Sequence, residues 1–295
     1  MFRTTVRRTV YLVLALSAAI ALPTLVLAHH SWNGYHWART SNPFTVKLGD
    51  NVSGVWDSIL STTSSHWSQS TVLNTTIVAG QSGTRRKCSA TSGRVEVCDS
   101  TYGNNGWLGV ATVWVSGSHI TQGTVRLNDT YFNTSTYNTT AWRNLVSCQE
   151  VGHTFGLDHQ DENFNNANLG TCMDYTNNPG TNQHPNQGDY DELLCIYDPT
   201  YKGRTLSTST HSCTGTGHLD STNTIGQTTK LPNAMTDLDF ENSANWGRLV
   251  RESRDHGQSV YELDFGGGKK VFTFVTWTLG ERGRRARAAS QLNSK

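Results

Sequence analysis

No two cysteines in this chain are spaced as C-x-x-C, and beyond residue 28 no apolar run is long enough to cross a bilayer. The first absence speaks against a separate zinc knuckle. The second leaves the N-terminus as the one candidate membrane segment. No position-specific calcium loop is present. An excess of either charge is also missing, with 24 Lys and Arg against 23 Asp and Glu. That balance hides an asymmetry. Three arginines lie in the first 28 residues and seven basic residues follow position 268, so residues 29–268 carry 14 basic against 22 acidic side chains. Such an acidic body disfavours nucleic acid as a partner. The basic tail, 282–295, is expected as a disordered, solvated end.

Arg3, Arg7 and Arg8 precede an apolar run from Val10 to Leu27 interrupted by Pro23, and Val26-Leu27-Ala28 places small residues where a signal peptidase cuts. A membrane anchor is the competing reading, since the run is nearly long enough to span. Pro23 and the cleavage site favour a signal peptide, 1–28, and a secreted chain without membrane contact after cleavage. Six cysteines then remain, at 88, 98, 148, 172, 195 and 213, an even number that suits disulfides in an oxidising compartment. Of the fifteen pairings open to six cysteines, the sequential scheme 88–98, 148–172 and 195–213 is the simplest. Its middle bridge would tie a helix around 148 to the segment carrying Met173.

Phe44 to Leu48 alternates like a strand. Val55, Trp56, Ile59, Leu60 and Trp67 share a helical face, with Asp50 or Ser53 as cap. Leu73 to Ala79 reads as a buried strand, and Arg94 to Cys98, Trp107 to Val115 and His119 to Asn128 as three more, with a turn at Ser116-Gly117-Ser118. A helix from about Thr140 to Phe155 puts Trp142, Leu145, Val146, Gln149 and His153 on one face. Gly156 is placed to end it in the left-handed conformation. Gly152, inside it, costs about 1 kcal/mol relative to alanine, which implies close packing or a ligand there. Residues 201–233 are rich in Ser, Thr and Gly and read as a linker. Val260 to Phe265, a Gly266-Gly267-Gly268 turn and Val271 to Trp277 read as a hairpin, within a small β element, 234–281. Two strands alone would be marginal, so this piece should pack on the main domain or belong to a β module. The order of elements suggests an α+β fold, a twisted mixed sheet backed by helices.

Residues 148–161, Cys-Gln-Glu-Val-Gly-His-Thr-Phe-Gly-Leu-Asp-His-Gln-Asp, differ by one residue from the pattern H-E-x-x-H-x-x-G-x-x-H. Glu150, His153, Gly156 and His159 are in register; Gln149 stands where the first histidine would be. Positions 149 and 153 are one helical turn apart and can face one metal, Glu150 projects beside them, and Gly156 lets the chain return His159 as a third ligand. Metal-assisted peptide hydrolysis needs this set: a Lewis acid, a water it acidifies and a carboxylate to take the proton.

At these residues the chain resembles the metzincin clan of zinc endopeptidases, most of all its matrixin-like members, over roughly residues 40–200. Cys172-Met173-Asp174-Tyr175 is similar to the methionine turn below the metal, Val125 to Asp129 to the strand before the active-site helix, and Gly109-Val110-Ala111 to the edge strand above the cleft. The resemblance implies a metzincin-like catalytic domain over 29–200, with a zinc ion on His153, His159 and Gln149. Glu150 would be the general base, and Tyr175 would hold the metal or the oxyanion. It also implies a protein or peptide substrate laid along Trp107–Val115 by β-augmentation.

Gln149 offers a neutral amide oxygen, a weaker zinc donor than imidazole. Three outcomes stay open: a working site with Gln149, a metal held by two histidines, or a catalytically inactive secreted binding protein that kept the fold. Other candidates carry less. His29 as a mature N-terminus could chelate copper with a second histidine, but His29, His30 and His36 sit in an unanchored Trp/Tyr-rich segment and read as surface or core residues. Asp161, Glu162, Asp189, Asp191 and Glu192 could bind calcium (Ca2+), though solvated loop acids are the expectation. Asn74 and Asn138 match glycosylation acceptors in Thr-rich text where such matches arise by chance.

Overall fold

The computed structural model describes residues 30–81, 83–201 and 231–292. The expected signal peptide, His29, Cys213 and nearly all of the expected linker lie outside them. A two-residue strand, β1 (His36–Trp37), precedes β2 (Phe44–Asn51), whose buried and exposed residues alternate as a pleated strand requires. Helix α1 (Val55–Trp67) leads to β3 (Leu73–Ala79), and β4 (Arg94–Ser100) follows; both strands lie parallel to β2, one on each side. β5 (Trp107–Ser116) and β6 (His119–Asn128) form an antiparallel hairpin whose turn passes through Gly117 at φ +63°. After the single turn α2 (Asp129–Phe132) come α3 (Thr140–His153), α4 (Gln187–Tyr197) and the short α5 (Asn233–Thr236). The chain closes with β7 (Arg248–Glu252), β8 (Gln258–Asp264), β9 (Lys269–Trp277) and α6 (Leu279–Leu292).

All nine strands among the described residues belong to one mixed sheet, in the order β3-β2-β4-β6-β5-β9-β8-β7 with β1 beside β6. With helices packed on it, this agrees with the expected α+β class. β5 and β6 are buried almost end to end because both faces of the sheet are covered there. On one face Ala111, Val113, Val125 and Leu127 pack with Trp56, Trp67 and Val146 of the helices. On the other, Trp107, Val110, Trp114 and Trp277 pack with Met235, Phe240 and Trp246. Strands covered twice read as continuous apolar runs rather than as alternation.

Several expectations from the sequence are corrected. β3 is an outermost strand of the sheet and half-exposed, not a buried strand, since it pairs only with β2. Gly54 caps α1 without any side-chain bond, so neither Asp50 nor Ser53 serves, and Val55 turns outward. The segment around Trp32 is anchored: the indole N–H of Trp32 donates to the His153 carbonyl at 2.9 Å and that of Trp37 to the Thr154 carbonyl at 2.8 Å. His30 and His36 are accordingly core residues. The basic tail is helical through Leu292, its start fastened by Arg282 to Asp255 and by Arg285 to Glu252.

Cys88–Cys98 and Cys148–Cys172 are bridged as the sequential scheme has them; the other expected bridge, Cys195–Cys213, ends outside the described residues. Among those residues no helix is long and apolar enough to cross a membrane.

The main departure concerns β7 to β9. The expected hairpin is present as β8 and β9 and packs on the main sheet, one of the two expectations for it; β7 extends it to a three-stranded antiparallel meander, and β9 pairs with β5 from Trp107↔Trp277 to Ser116↔Lys269. The edge of β5, expected to receive a substrate strand, is therefore already paired within the chain.

Candidate active site

Helix α3 begins where the Thr139 side chain accepts the Trp142 N–H at 3.2 Å, and it ends one turn before Gly156. Gly156 has φ +95°, and a Cβ there would lie 2.3 Å from the Tyr35 carbonyl oxygen, so glycine is required twice over. Gly152 is needed for packing: its Cβ would meet the Met173 sulfur at 2.7 Å and the Trp67 ring at 2.8 Å. Met173 thus lies directly beneath the helix, held there by the Cys148–Cys172 bridge. These constraints place Gln149, Glu150, His153, His159 and Tyr175 in one buried cluster.

In that cluster the Nδ1–H of His153 donates to the Leu157 carbonyl at 2.9 Å, which leaves the Nε2 lone pair free of a proton. His159 meets His153 edge to face, with ring centroids 4.5 Å apart. Its Nδ1 lies 3.3 Å from the Asp158 carboxylate and 3.0 Å from the Tyr175 hydroxyl. Asp158 is itself bound by Arg251, and the hydrogen bonds from His159 and Arg251 hold its carboxyl far below the usual range despite burial. An ionised Asp158 keeps the His159 proton on Nδ1 and again exposes Nε2. Carboxylates and carbonyls orient histidine ligands in this way.

Burial pushes both imidazoles down, His153 well below the ordinary histidine value, with its neighbour His159 adding to the effect. Both are neutral, the form that binds metal. Neither Nε2 has a hydrogen-bond partner among the described residues, and neither does Oε2 of Glu150. Burial raises Tyr175 well above the ordinary phenol value, so its hydroxyl keeps its proton.

Glu150 is fully buried against β5. A Cβ on Gly109 would lie 2.5 Å from Val146 and 2.8 Å from Glu150, so only glycine in the strand admits the carboxylate, which accepts the Ala111 N–H. Burial raises its pKa to about 8, opposed by the bonds from Thr276 and Ala111. The Thr276 hydroxyl lies 2.5 Å from Oε1 of Glu150 and 3.1 Å from Oε1 of Gln149, and Nε2 of Gln258 donates to that Gln149 oxygen at 2.9 Å. Gln149 therefore lies on the expected face of the helix, but its oxygen is already accepting from the C-terminal strands. Phe274 stacks on the His153 ring at 4.4 Å between centroids.

The donor set fits zinc in part: two neutral imidazoles in ring contact, each with a bare Nε2, the third protein ligand being engaged elsewhere. Between Gln149, Tyr175, Trp142, Phe164 and Trp277 there remains a pocket of about 20 Å³, room for about one water. Asp158, His159 and Glu162 form a second group whose ligand atoms lie within 4.8 Å of one another. The Arg251 guanidinium pairs with both carboxylates of that group and already supplies a cation. Of the acids considered for calcium, Asp189 caps α4 together with Asn186 and accepts the Thr171 hydroxyl at 2.5 Å, and Asp191 accepts from Gln187.

Sequence reasoning missed Arg251, Gln258, Phe274 and Thr276. They lie 89 or more residues from their partners around α3, and no local pattern announces such contacts. Asp158, adjacent to His159, could have been suspected. No known family model matches the chain, and no curated protein matches it.

Proposed function

We propose that the chain is a secreted, metal-dependent endopeptidase of the metzincin kind, acting on protein or peptide substrates. Its support is one observation: the Nε2 atoms of His153 and His159 are buried and without a hydrogen-bond partner among the described residues, while each ring's other nitrogen is committed to orientation. His153 and His159 would hold zinc, with Gln149 completing the set once its oxygen is released. When bound, zinc supplies the Lewis acid that acidifies water and polarises a peptide carbonyl. Glu150 accepts a proton from the attacking water at Oε2 and passes it to the leaving amine. Tyr175, kept neutral by burial, orients His159 and offers a proton to the oxyanion. Met173 supports the helix from below. The Ala111 N–H and Thr276 hydroxyl hold the other Glu150 oxygen.

A second reading, a catalytically inactive secreted binding protein, draws on a specific observation: the β5 edge and the Gln149 oxygen are both taken by the chain itself. Zinc titration with chelator competition, run beside cleavage of an unstructured polypeptide, separates the two. On the endopeptidase reading one zinc binds per chain, His153→Ala and His159→Ala lose it, and Glu150→Ala keeps it while abolishing cleavage. Zinc binding indifferent to both histidines, or cleavage surviving Glu150→Ala, sinks that reading.

A further inference from the structure

The face of the C-terminal meander turned toward α3 matches the catalytic cluster group for group. On β9, Phe274 and Thr276 are two residues apart and share a face of the strand. On α3, His153 and Glu150 are three apart and share a face of the helix. The strand lays Phe274 over His153 and Thr276 over Glu150. Gln258, paired in register with Thr276 on β8, reaches Gln149. One strand further out, Arg251 of β7 pairs with Asp158, the residue that orients His159. The meander thus contacts every polar residue of the cluster, or its immediate partner, apart from Tyr175. It does so while filling the backbone donors and acceptors of β5.

We infer that this meander, residues 248–278, is an in-chain occluding segment that keeps the site latent. It takes the place of a substrate strand on β5 and holds the Gln149 oxygen away from a metal. Latency thereby comes from the C-terminal side of the chain. The endopeptidase reading identifies what is being held off; the clamp itself can be read without any cleavage. Metal ligation by Gln149 and the bonds from Gln258 and Thr276 compete for one oxygen, so metal binding and clamp closure oppose each other, with reciprocal effects.

The test uses the full chain and the double variant Gln258→Ala, Thr276→Ala, with zinc affinity by chelator competition and cleavage of casein as readouts. Opening the clamp should tighten zinc binding roughly tenfold and raise cleavage by at least as much, within the usual range of such couplings. A folded double variant with zinc affinity no higher than the parent overturns the inference. Tighter zinc binding without any cleavage leaves the clamp standing and removes the endopeptidase reading. Hydrogen exchange on the unaltered protein provides an independent arm if the variant fails to fold. Zinc should speed exchange of the amides of residues 273–277, and unchanged or slower exchange overturns the inference.

Discussion

The hydroxyl of Thr276 sits 2.5 Å from a carboxylate oxygen of Glu150, across 126 residues of sequence. The contact joins the last strand of the sheet to the helix that carries the metal-peptidase pattern. Thr276 also reaches Gln149 and accepts from Gln258 at 2.8 Å. The Thr276 hydroxyl is set to donate to Glu150 or to Gln149, and its bond to Glu150 favours the ionised carboxylate against the burial that raises it to about 8.

Glu150→Ala is expected to leave zinc content nearly unchanged and to lower cleavage by about 10²–10⁴-fold, the usual contribution of a positioned acid–base group. Metal analysis beside a peptide assay checks both halves.

Gln149→His replaces an amide oxygen with an imidazole nitrogen, a better zinc donor. It also removes one of the two acceptors of Gln258, leaving Thr276. Zinc affinity is expected to rise, by roughly tenfold or more if the new ligand contributes even ~1.4 kcal/mol. A titration against a chelator of known affinity reads this, and an unchanged affinity would show that position 149 does not reach the metal.

Gly152→Ala sets two effects of opposite sign against each other. Alanine favours helix by about 1 kcal/mol, whereas overpacking a tight core costs about 1–3 kcal/mol. The Trp67 ring at 2.8 Å is rigid, so the clash wins. Chemical denaturation should show a net loss of about 1 kcal/mol, and a gain would mean that Met173 and Trp67 yield freely.

Asp99 supplies a pH effect remote from the cluster around His153 and His159. Burial, then the hydrogen bond and charge of Asp129, raise its pKa to about 7, with Arg85 opposing. The folded state therefore holds a proton that the unfolded chain releases at ordinary carboxylate pH. The stabilisation is present in acid and is lost as pH rises through about 7. Asp99→Asn should flatten the decline in melting temperature between about pH 4 and about pH 7, the ordinary and the raised values; a decline of undiminished slope counts against this assignment.

Much of the site was legible because it is local. Gly156 ends the helix and Gly152 admits Met173, and Glu150 and His153 follow from helical spacing alone. The strands from 94 to 128 were legible, Arg94 to Cys98 from alternation and Trp107 to Val115 from its apolar run. What misled was context. β3 has the composition of an interior strand but lies at the sheet's margin, and the Trp-rich N-terminal segment looked loose because its indole partners are carbonyls at the far end of α3. The basic tail carries too little apolar surface to suggest a helix, and its order comes from Arg282 and Arg285 finding acids on the meander.

By itself the sequence determined the zinc-peptidase pattern, the glutamine within it and the glycines that shape the surrounding backbone, all set by steric rules acting over a few residues. The tertiary structure alone decided what that glutamine does. A strand's hydrogen-bonding edge is generic, so nothing in Trp107–Ser116 specifies whether a substrate or the chain's own β9 will pair with it. Register then carries Gln258, Phe274 and Thr276 onto the cluster together, and commits the oxygen of Gln149 to them.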